Sequence, residues 1–162
     1  MTETIDARLD GRPVRADISG ALFLPDAGTL VVADLHLGKG ARFASQGTLL
    51  PPYDTQATLR SLSAAVARHR PACVVCLGDS FDDIAGDGRL TDIEIDNLLR
   101  LTRACDWVWV SGNHDPAPAS RAGGRTAPEI EIDGILLRHE ASTEVDEIEI
   151  SGHFHPKARV SV

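Results

Sequence analysis

Three short apolar segments recur along the chain, and each has the composition of a buried β-strand. They occupy residues 30–33, 74–77 and 107–110, and none of them contains a charged residue. Strands that are buried on both faces show such continuous apolar runs, whereas half-buried strands alternate with polar residues. The pattern therefore predicts three neighbouring strands at the centre of a sheet.

The segments between these strands have the spacing of helices. Apolar residues recur three and four positions apart up to Arg70, and Asp54 is the expected N-cap of this first helix. Thr91-Asp92-Ile93-Glu94 fits a capping box that opens a second helix. Alternation of strands with helices indicates a largely parallel sheet.

Hairpins are predicted at both ends of the chain. Asp10-Gly11 and Asp133-Gly134 are favoured hairpin turns, and residues 25–28 carry a third turn signal. Residues 147–150 are expected to form a further strand. Segments rich in glycine, proline and small polar residues are expected to be loops, namely residues 37–53, 80–90 and 116–128. The prediction is an α/β fold with a mixed β core of two stacked sheets and helices outside.

Composition narrows the class of protein. The 162 residues fit a single domain spanning 1–162, and no apolar run approaches the roughly 20 residues that span a bilayer. The first residues lack the pattern of a secretory signal. A formal net charge of −8 argues against a protein that coats nucleic acid by bulk electrostatics, but it does not exclude a nuclease.

The three cysteines are predicted to be reduced and structural. Cys73 and Cys76 lie three residues apart in a predicted strand, so their side chains face opposite sides and cannot share an ion or form a disulfide. Cys105 makes the count odd. Free structural thiols are typical of a reducing compartment, and a cytoplasmic location is therefore expected.

Five of the six histidines stand in short clusters with acidic or amide partners. These clusters are Asp34-Leu35-His36, Gly78-Asp79, Gly112-Asn113-His114-Asp115, His139, and Gly152-His153-Phe154-His155. The first three follow predicted parallel strands. Because ligands bind beyond the carboxyl ends of such strands, the clusters are expected to meet at one edge of the sheet.

The spacing and chemistry of these residues indicate a metal site. Asp34 and His36 lie two residues apart, as do His153 and His155, so each pair faces one side of an extended segment. Nitrogen and oxygen ligands without sulfur favour Mn, Fe, Zn or Ni. Two ions about 3.5–4 Å apart, bridged by one carboxylate, would polarise a phosphoryl group and generate a hydroxide. His69, in contrast, is explained by the polar end of a helix.

The ordered blocks D-x-H, G-D, G-N-H-D, H and G-H-x-H resemble the calcineurin-like metallophosphoesterases. The resemblance spans residues 34–155 and implies a four-layer αββα sandwich, with two mixed β-sheets flanked by helices and a dinuclear metal centre. Only residues 156–162 follow the last block, which leaves open that one or two C-terminal strands of this fold are missing.

The resemblance also implies a role for each position. Asp34, His36 and His155 would hold one ion, Asn113, His139 and His153 would hold the other, and Asp79 would bridge them. His114 would be a catalytic residue that protonates the leaving oxygen or stabilises charge at phosphorus. Asp82 would orient His114, with Asp115 as the alternative. His139 departs from the family pattern because Glu140 follows it where many relatives have glycine.

A narrower resemblance concerns the substrate. Ala33-Asp34-Leu35-His36-Leu37-Gly38-Lys39 and the Gly-His-x-His-Pro block look like the bacterial ligase-associated metallophosphoesterases. That group implies a DNA-repair endonuclease with DNA ligase, exonuclease and helicase partners, and no membrane partner is expected. The oligomeric state is left open.

Two basic residues and two further functions complete the expectations. Lys39 and Arg42 follow the first block and are candidates for binding substrate phosphates, although a solvated loop explains them equally well. The leading function is a dimetal phosphodiesterase acting on DNA, with Mn²⁺ as the favoured cofactor. The alternatives are a small-molecule or nucleotide phosphodiesterase or phosphomonoesterase, and a non-catalytic metal-binding scaffold of a repair complex.

Overall fold

Two β-sheets face each other in the computed structural model, which describes residues 3–45, 47–48, 53–117, 120–143 and 148–155. The larger sheet has seven strands in chain order. They are β1 Thr4–Leu9, β2 Arg12–Asp17, β3 Leu22–Leu24, β4 Thr29–Val32, β5 Cys73–Leu77, β6 Asp106–Val110 and β7 Arg125–Ala127. Strands β1 to β4 pair antiparallel and β4 to β7 pair parallel, so the predicted hairpins and the predicted parallel centre are both confirmed.

The smaller sheet has three strands in the order β10-β9-β8. They are β8 Glu129–Ile132, β9 Ile135–Arg138 and β10 Glu149–Ser151. Asp133 and Gly134 form the β8–β9 turn with φ of 51° and 71°, the left-handed region that a tight hairpin turn requires. Strand β10 pairs parallel to β9, and the segment after β10 lies beside the loop that follows β4, where His153 N donates to Asp34.

Three α-helices are described: α1 Lys39–Ser45, α2 Asp54–His69 and α3 Asp92–Thr102, with a 3-10 turn at Gly86–Arg89. Thr91 caps α3 through a complete capping box with Glu94, as the sequence predicts. In the part of the chain that the structure describes, no helix is long and apolar enough to cross a membrane.

The central strands are buried on both faces, which explains their continuous apolar character. On one face, Leu30, Val74 and Trp107 pack against the helices through residues such as Leu59 and Leu98. On the other face, Val31, Val75 and Val108 meet Ile135 and Leu137 of the smaller sheet. The described residues thus form a helix layer and two sheets, the mixed α/β arrangement expected from the sequence.

Three local predictions are wrong. The segment predicted as a loop between residues 37 and 53 contains α1. Asp54 is the first residue of α2 rather than its N-cap, which is Tyr53, and the carboxylate of Asp54 instead accepts a hydrogen bond of 3.0 Å from the Gly40 amide. Strand β7 lies within the predicted loop at 116–128, because pairing with β6 supplies partners for its backbone. Glu147 and residues 156–162 lie outside the described residues.

Cys76 is buried, Cys73 and Cys105 are half-buried, and the side chain of His69 is almost fully covered. Cys73 and Cys76 face opposite sides of β5, and all three cysteines are free thiols. His69 has a larger role than helix-end polarity. Its Nε2 lies 2.8 Å from the buried carboxylate of Asp17, and its ring stacks on Phe23.

Candidate active site

The loops that follow β4 and β5 run side by side and hold the first site residues. Asp34 N donates to Gly78 O at 3.2 Å and His36 N donates to Asp79 O at 2.9 Å. Leu37 N donates to Ser80 O at 2.8 Å, so the parallel pairing of the strands continues beyond their ends. The two strand-end clusters therefore meet at the carboxyl edge of the sheet, as predicted.

The backbone at the site is unusual. Five candidate ligands have left-handed φ values, although none is glycine: Asp34 (51°), His36 (45°), Asp79 (47°), His153 (68°) and His155 (43°). Such conformations cost free energy and cluster at functional sites, where surrounding contacts hold them. The backbone is therefore bent at Asp34 and His36 and at His153 and His155, and it is not extended there as the spacing predicted.

The first ligand group consists of Asp34, His36 and His155. One potential ligand atom from each lies within 4.8 Å of the others. His155 Nε2 is 3.7 Å from Asp34 Oδ1, and the rings of His36 and His155 stack with centroids 5.5 Å apart. The structure thus brings together the three residues expected to hold one ion.

The second group consists of Asp79, His139 and His153, and Asn113 joins it. His139 Nε2 lies 2.8 Å from Asn113 Oδ1, 3.2 Å from His153 Nδ1 and 3.5 Å from Asp79 Oδ2. His153 Nδ1 lies 3.2 Å from Asn113 Oδ1. His139 therefore lies at the centre of this group, although the residue that follows it, Glu140, departs from the family pattern.

Backbone hydrogen bonds connect the two groups. His153 N donates to the carboxylate of Asp34 at 3.1 and 3.2 Å, so a residue of the second group is tied to one of the first. His114 N donates to Asp79 Oδ1 at 2.9 Å. Asp79 lies in the second group, and its bridging role remains a prediction.

The orientation of His139 is set by β5. Its Nδ1 lies 2.9 Å from Leu77 O, and because a carbonyl only accepts, Nδ1–H is the donor. Nε2 of the neutral ring then carries the free lone pair that an ion requires. A Cβ on Gly78 would lie 2.5 Å from Nδ1 and 2.6 Å from Cγ of His139. The ring occupies this position only because residue 78 is glycine.

The donor atoms fit divalent cations. Each group combines carboxylate oxygen with two imidazoles, and the second adds an amide oxygen, a mixed set typical of Mn, Fe, Zn and Ni. Nε2 of His139, Oδ1 of Asn113, Nδ1 of His153 and Oδ2 of Asp79 converge on one place. Such a convergence of potential ligand atoms supports the fit of a metal ion.

Asp115 supports the loop that carries Asp79. Its buried carboxylate accepts from the amides of Asp79 (2.9 Å), Phe81 (3.0 Å) and Gly112 (3.2 Å). Burial, together with the negative charge of Asp79, outweighs these hydrogen bonds and raises the pKa of Asp115 to about 6. Asp115 thus joins the loops after β5 and β6.

The structure places Asp82 beside His36 instead of His114. Asp82 Oδ1 lies 3.1 Å from His36 Nδ1, and Oδ2 forms an ion pair of 2.7 Å with Arg42 Nε. Among the described residues, neither Asp82 nor Asp115 hydrogen-bonds the imidazole of His114. The expectation that one of them orients His114 is therefore replaced by an Arg42–Asp82–His36 chain. Burial lowers the pKa of His36, although the charges of Asp82 and Asp79 oppose this.

The remaining predicted residues lie around the site. The half-buried His114 ring packs against the edge of His36, with centroids 5.4 Å apart at 90°. Lys39 is exposed at the first residue of α1. Sequence reasoning missed the carbonyl of Leu77, because a backbone acceptor leaves no signal in residue types. It also missed the pairing of Arg42 with Asp82, although both positions were singled out.

Comparisons with known proteins agree with this geometry. The calcineurin-like phosphoesterase family matches residues 28–157. A crystal structure described as a Pseudomonas putida nuclease MPE has a similar fold, with a TM-score of 0.75 and 24% sequence identity over 94% of this chain and 74% of that chain. No curated protein matches the chain significantly. The chain belongs to the calcineurin-like phosphoesterase family and is a metal-dependent phosphoester hydrolase.

Proposed function

We propose that this protein is a two-metal phosphodiesterase that cleaves DNA. The observation that carries the proposal is the pair of nitrogen and oxygen ligand groups joined at one edge of the sheet. Asp34, His36 and His155 would hold one ion. Asn113, His139 and His153 would hold the other, with Asp79 between them. Bound ions act as Lewis acids that polarise a phosphoryl group and lower the pKa of water.

Mn²⁺ is the proposed metal at both positions. Carboxylate and amide oxygens favour harder ions and imidazoles favour softer ones, and manganese accepts both. Fe, Zn and Ni suit the same donors. Metal content after growth in media that contain one added metal at a time would distinguish them.

His114 is the proposed general acid. The His114 amide donates to the Asp79 carboxylate, and the His114 ring packs against that of His36. The imidazole is therefore held beside both ligand groups but belongs to neither. A positioned imidazole that protonates the leaving oxygen contributes about 10²–10⁴-fold to the rate. The contribution depends on the leaving group, since a nitrophenolate leaves without protonation.

Arg42 and Lys39 have different proposed roles. Arg42 pairs with Asp82, so its first role is to hold the carboxylate that faces His36 Nδ1. The remaining nitrogens of its guanidinium are the candidates for contact with a substrate phosphate. Lys39 is proposed to meet the nucleic-acid backbone farther from the reaction, because its side chain is exposed.

Two observations support DNA as the substrate. The solved structure of similar fold is described as a nuclease. The segment from Ala33 to Lys39 is similar to that of the ligase-associated group. We extend the proposal to endonuclease activity in DNA repair within the cytoplasm, by a single domain, with DNA ligase, exonuclease and helicase as partners.

A small-molecule phosphodiesterase or phosphomonoesterase is the second candidate. The net charge of −8 favours it, because a long polyanion is repelled more strongly than a single phosphate ester. Cleavage of plasmid and of single-stranded DNA, compared with turnover of cyclic nucleotides and nucleotide monoesters, separates the two. Turnover of the small esters with neither form of DNA cleaved would refute the DNA assignment.

The test of the mechanism is hydrolysis of bis-p-nitrophenyl phosphate by metal-loaded variants. Asp79→Asn is expected to lose metal and activity together. Asp10→Asn is the matched control, because Asp10 has φ of 46° in an exposed hairpin turn against 47° at Asp79. His114→Ala should retain most activity on this activated ester and lose about 10²–10⁴-fold on an alkyl diester. Full activity of a metal-stripped Asp79→Asn protein would refute the mechanism.

A further inference from the structure

One exposed aromatic ring stands between residues of the two ligand groups. Phe154 separates His153 of the second group from His155 of the first, and 62% of its surface is exposed. Single exposed apolar residues are common and usually have no function. Phe154 differs from the other exposed large apolar residues that the structure describes, because both of its chain neighbours are candidate metal ligands.

The backbone holds this ring in a defined place. Phe154 N donates to Gly152 O at 2.8 Å, and the preceding amide of His153 donates to Asp34. The rings of His153 and Phe154 meet edge to face, with centroids 5.1 Å apart at 83°. An aromatic side chain presented on such a short, fixed segment loses little conformational freedom when it binds a ligand.

The position of the ring defines what it can contact. The Nδ1 atom of His153 contacts Asn113 and His139, and the ring of His153 also contacts Phe154, so one imidazole links the second ligand group to this exposed ring. Phe154 is therefore the aromatic side chain placed to meet a group attached to a phosphate at these residues. In a nucleic acid, the nearest flat apolar group is the base of the adjoining nucleotide.

We propose that Phe154 stacks on an unpaired nucleobase beside the scissile phosphate. A base inside a duplex is already stacked and paired, so the proposal specifies single-stranded or locally unpaired DNA as the substrate. Aromatic residues make up only 4% of the chain, which fits recognition of one base rather than of an extended strand. The inference rests on the proposed phosphodiesterase function and adds the form of nucleic acid to it.

The test uses two chromogenic phosphodiesters that differ only in the base. One is thymidine 5′-(p-nitrophenyl phosphate), and the other carries 1,2-dideoxyribose in place of thymidine. Both release the same p-nitrophenolate, so a difference in KM reports contact with the base. Base–aromatic stacking predicts a KM lower by about 5- to 100-fold for the thymidine ester.

Three variants distinguish stacking from a structural role. Phe154→Ala should bring the KM ratio of the two esters close to one, whereas Phe154→Trp should keep or increase it. Ile93→Ala is the control, because Ile93 is 72% exposed on α3 and lies outside both ligand groups. Trp107 and Trp109 are buried, so quenching of the new indole in Phe154→Trp by oligothymidylate gives a second measurement that needs no turnover.

The outcomes separate this inference from the proposed function. Equal KM values for the two esters in the wild-type protein would overturn stacking while leaving phosphodiesterase activity intact. If Phe154→Ala loses bound metal, the ring supports His153 structurally, and stacking on a base would also be overturned. Hydrolysis of neither ester would refute the proposed function. In that case the fluorescence of Phe154→Trp would still test stacking, because an indole that oligothymidylate does not quench would overturn it.

Discussion

Replacement of Gly78 by alanine should weaken the binding of one metal ion without unfolding the protein. Two effects combine at this position. Gly78 has φ of +76°, where an L-residue costs roughly 1–2 kcal/mol. A Cβ would also lie 2.5 Å from Nδ1 and 2.8 Å from Cβ of His139. The ring must therefore move, and its hydrogen bond to Leu77 O must lengthen or break.

Gly11→Ala isolates the first effect from the second. Gly11 has φ of +77°, nearly the value at Gly78, but a Cβ there would meet nothing within 4 Å. Without metal, Gly11→Ala should lose roughly 1–2 kcal/mol of stability, and Gly78→Ala should lose more, because it also disturbs the buried hydrogen bond between His139 and Leu77 O. Only Gly78→Ala should bind metal more weakly, by about 10–100-fold, which is the usual effect of disturbing the support of a ligating histidine.

The difference can be measured without catalysis. At a free metal concentration of about 100 times the wild-type Kd, binding stabilises the folded state by about 2.7 kcal/mol. A Kd weaker by about 100-fold reduces this gain to roughly 0.4 kcal/mol. Urea unfolding with and without Mn²⁺ should show the reduced gain in Gly78→Ala and the full gain in Gly11→Ala. Equal gains in the two variants would refute the assignment of His139 as a supported ligand.

Three further predictions concern the surrounding structure. Asp87 is buried and accepts four hydrogen bonds, from Ser120 N and Oγ, Arg121 N and Ala122 N. Asp87→Ala should therefore lower the free energy of unfolding in urea by about 3 kcal/mol or more. Asp92→Ala is the control, because Asp92 is exposed and should lose under about 1 kcal/mol. Burial alone would raise the pKa of Asp17, but hydrogen bonds from Ser19, His69 and Arg68 outweigh it and lower the pKa. The stability that Asp17 contributes should be complete above about pH 5 and should fall as the pH drops below 3.8, the pKa of Asp17 in the unfolded chain. The urea midpoint of the wild-type protein should therefore depend more strongly on acid pH than that of Asp17→Asn, and an equal dependence would contradict this. Burial raises the pKa of Cys76 above that of a free thiol, so at neutral pH iodoacetamide should label it only after unfolding, as peptide mapping of native and unfolded protein would show.

The predictable part of the fold rests on strong local signals. Continuous apolar runs identified β4, β5 and β6, and Asp-Gly pairs identified two hairpins, because burial and positive φ restrict which residues can occupy those positions. The capping box at Thr91 was equally specific. Helix α1 and strand β7 lacked such signals. Strand β7 has only three residues and exists because β6 offers its backbone a partner.

The candidate ligands were predicted by residue type and by their order in the family pattern, whereas the contacts that support them were not. The structure brings Asp34, His36 and His155 together in one group and His139 into the other. The interactions that hold them are made by the Leu77 carbonyl, by amides such as that of His153, and by Asp82, whose expected partner was His114. Backbone donors and acceptors occur at every residue, so only the folded geometry shows which of them serve the site.

The strained backbone explains why these supports are necessary. A left-handed conformation at a non-glycine residue costs of order 1 kcal/mol, and the site contains five of them. Without opposing contacts, each residue would relax and its side chain would turn away from the site. The amide of His36 is held by Asp79 O and that of His153 by Asp34, so residues of one ligand group restrain the other. Loss of a ligand such as Asp34 should therefore disturb both groups at once. The two halves of the centre are built as one unit, which a two-ion reaction at a single phosphate requires.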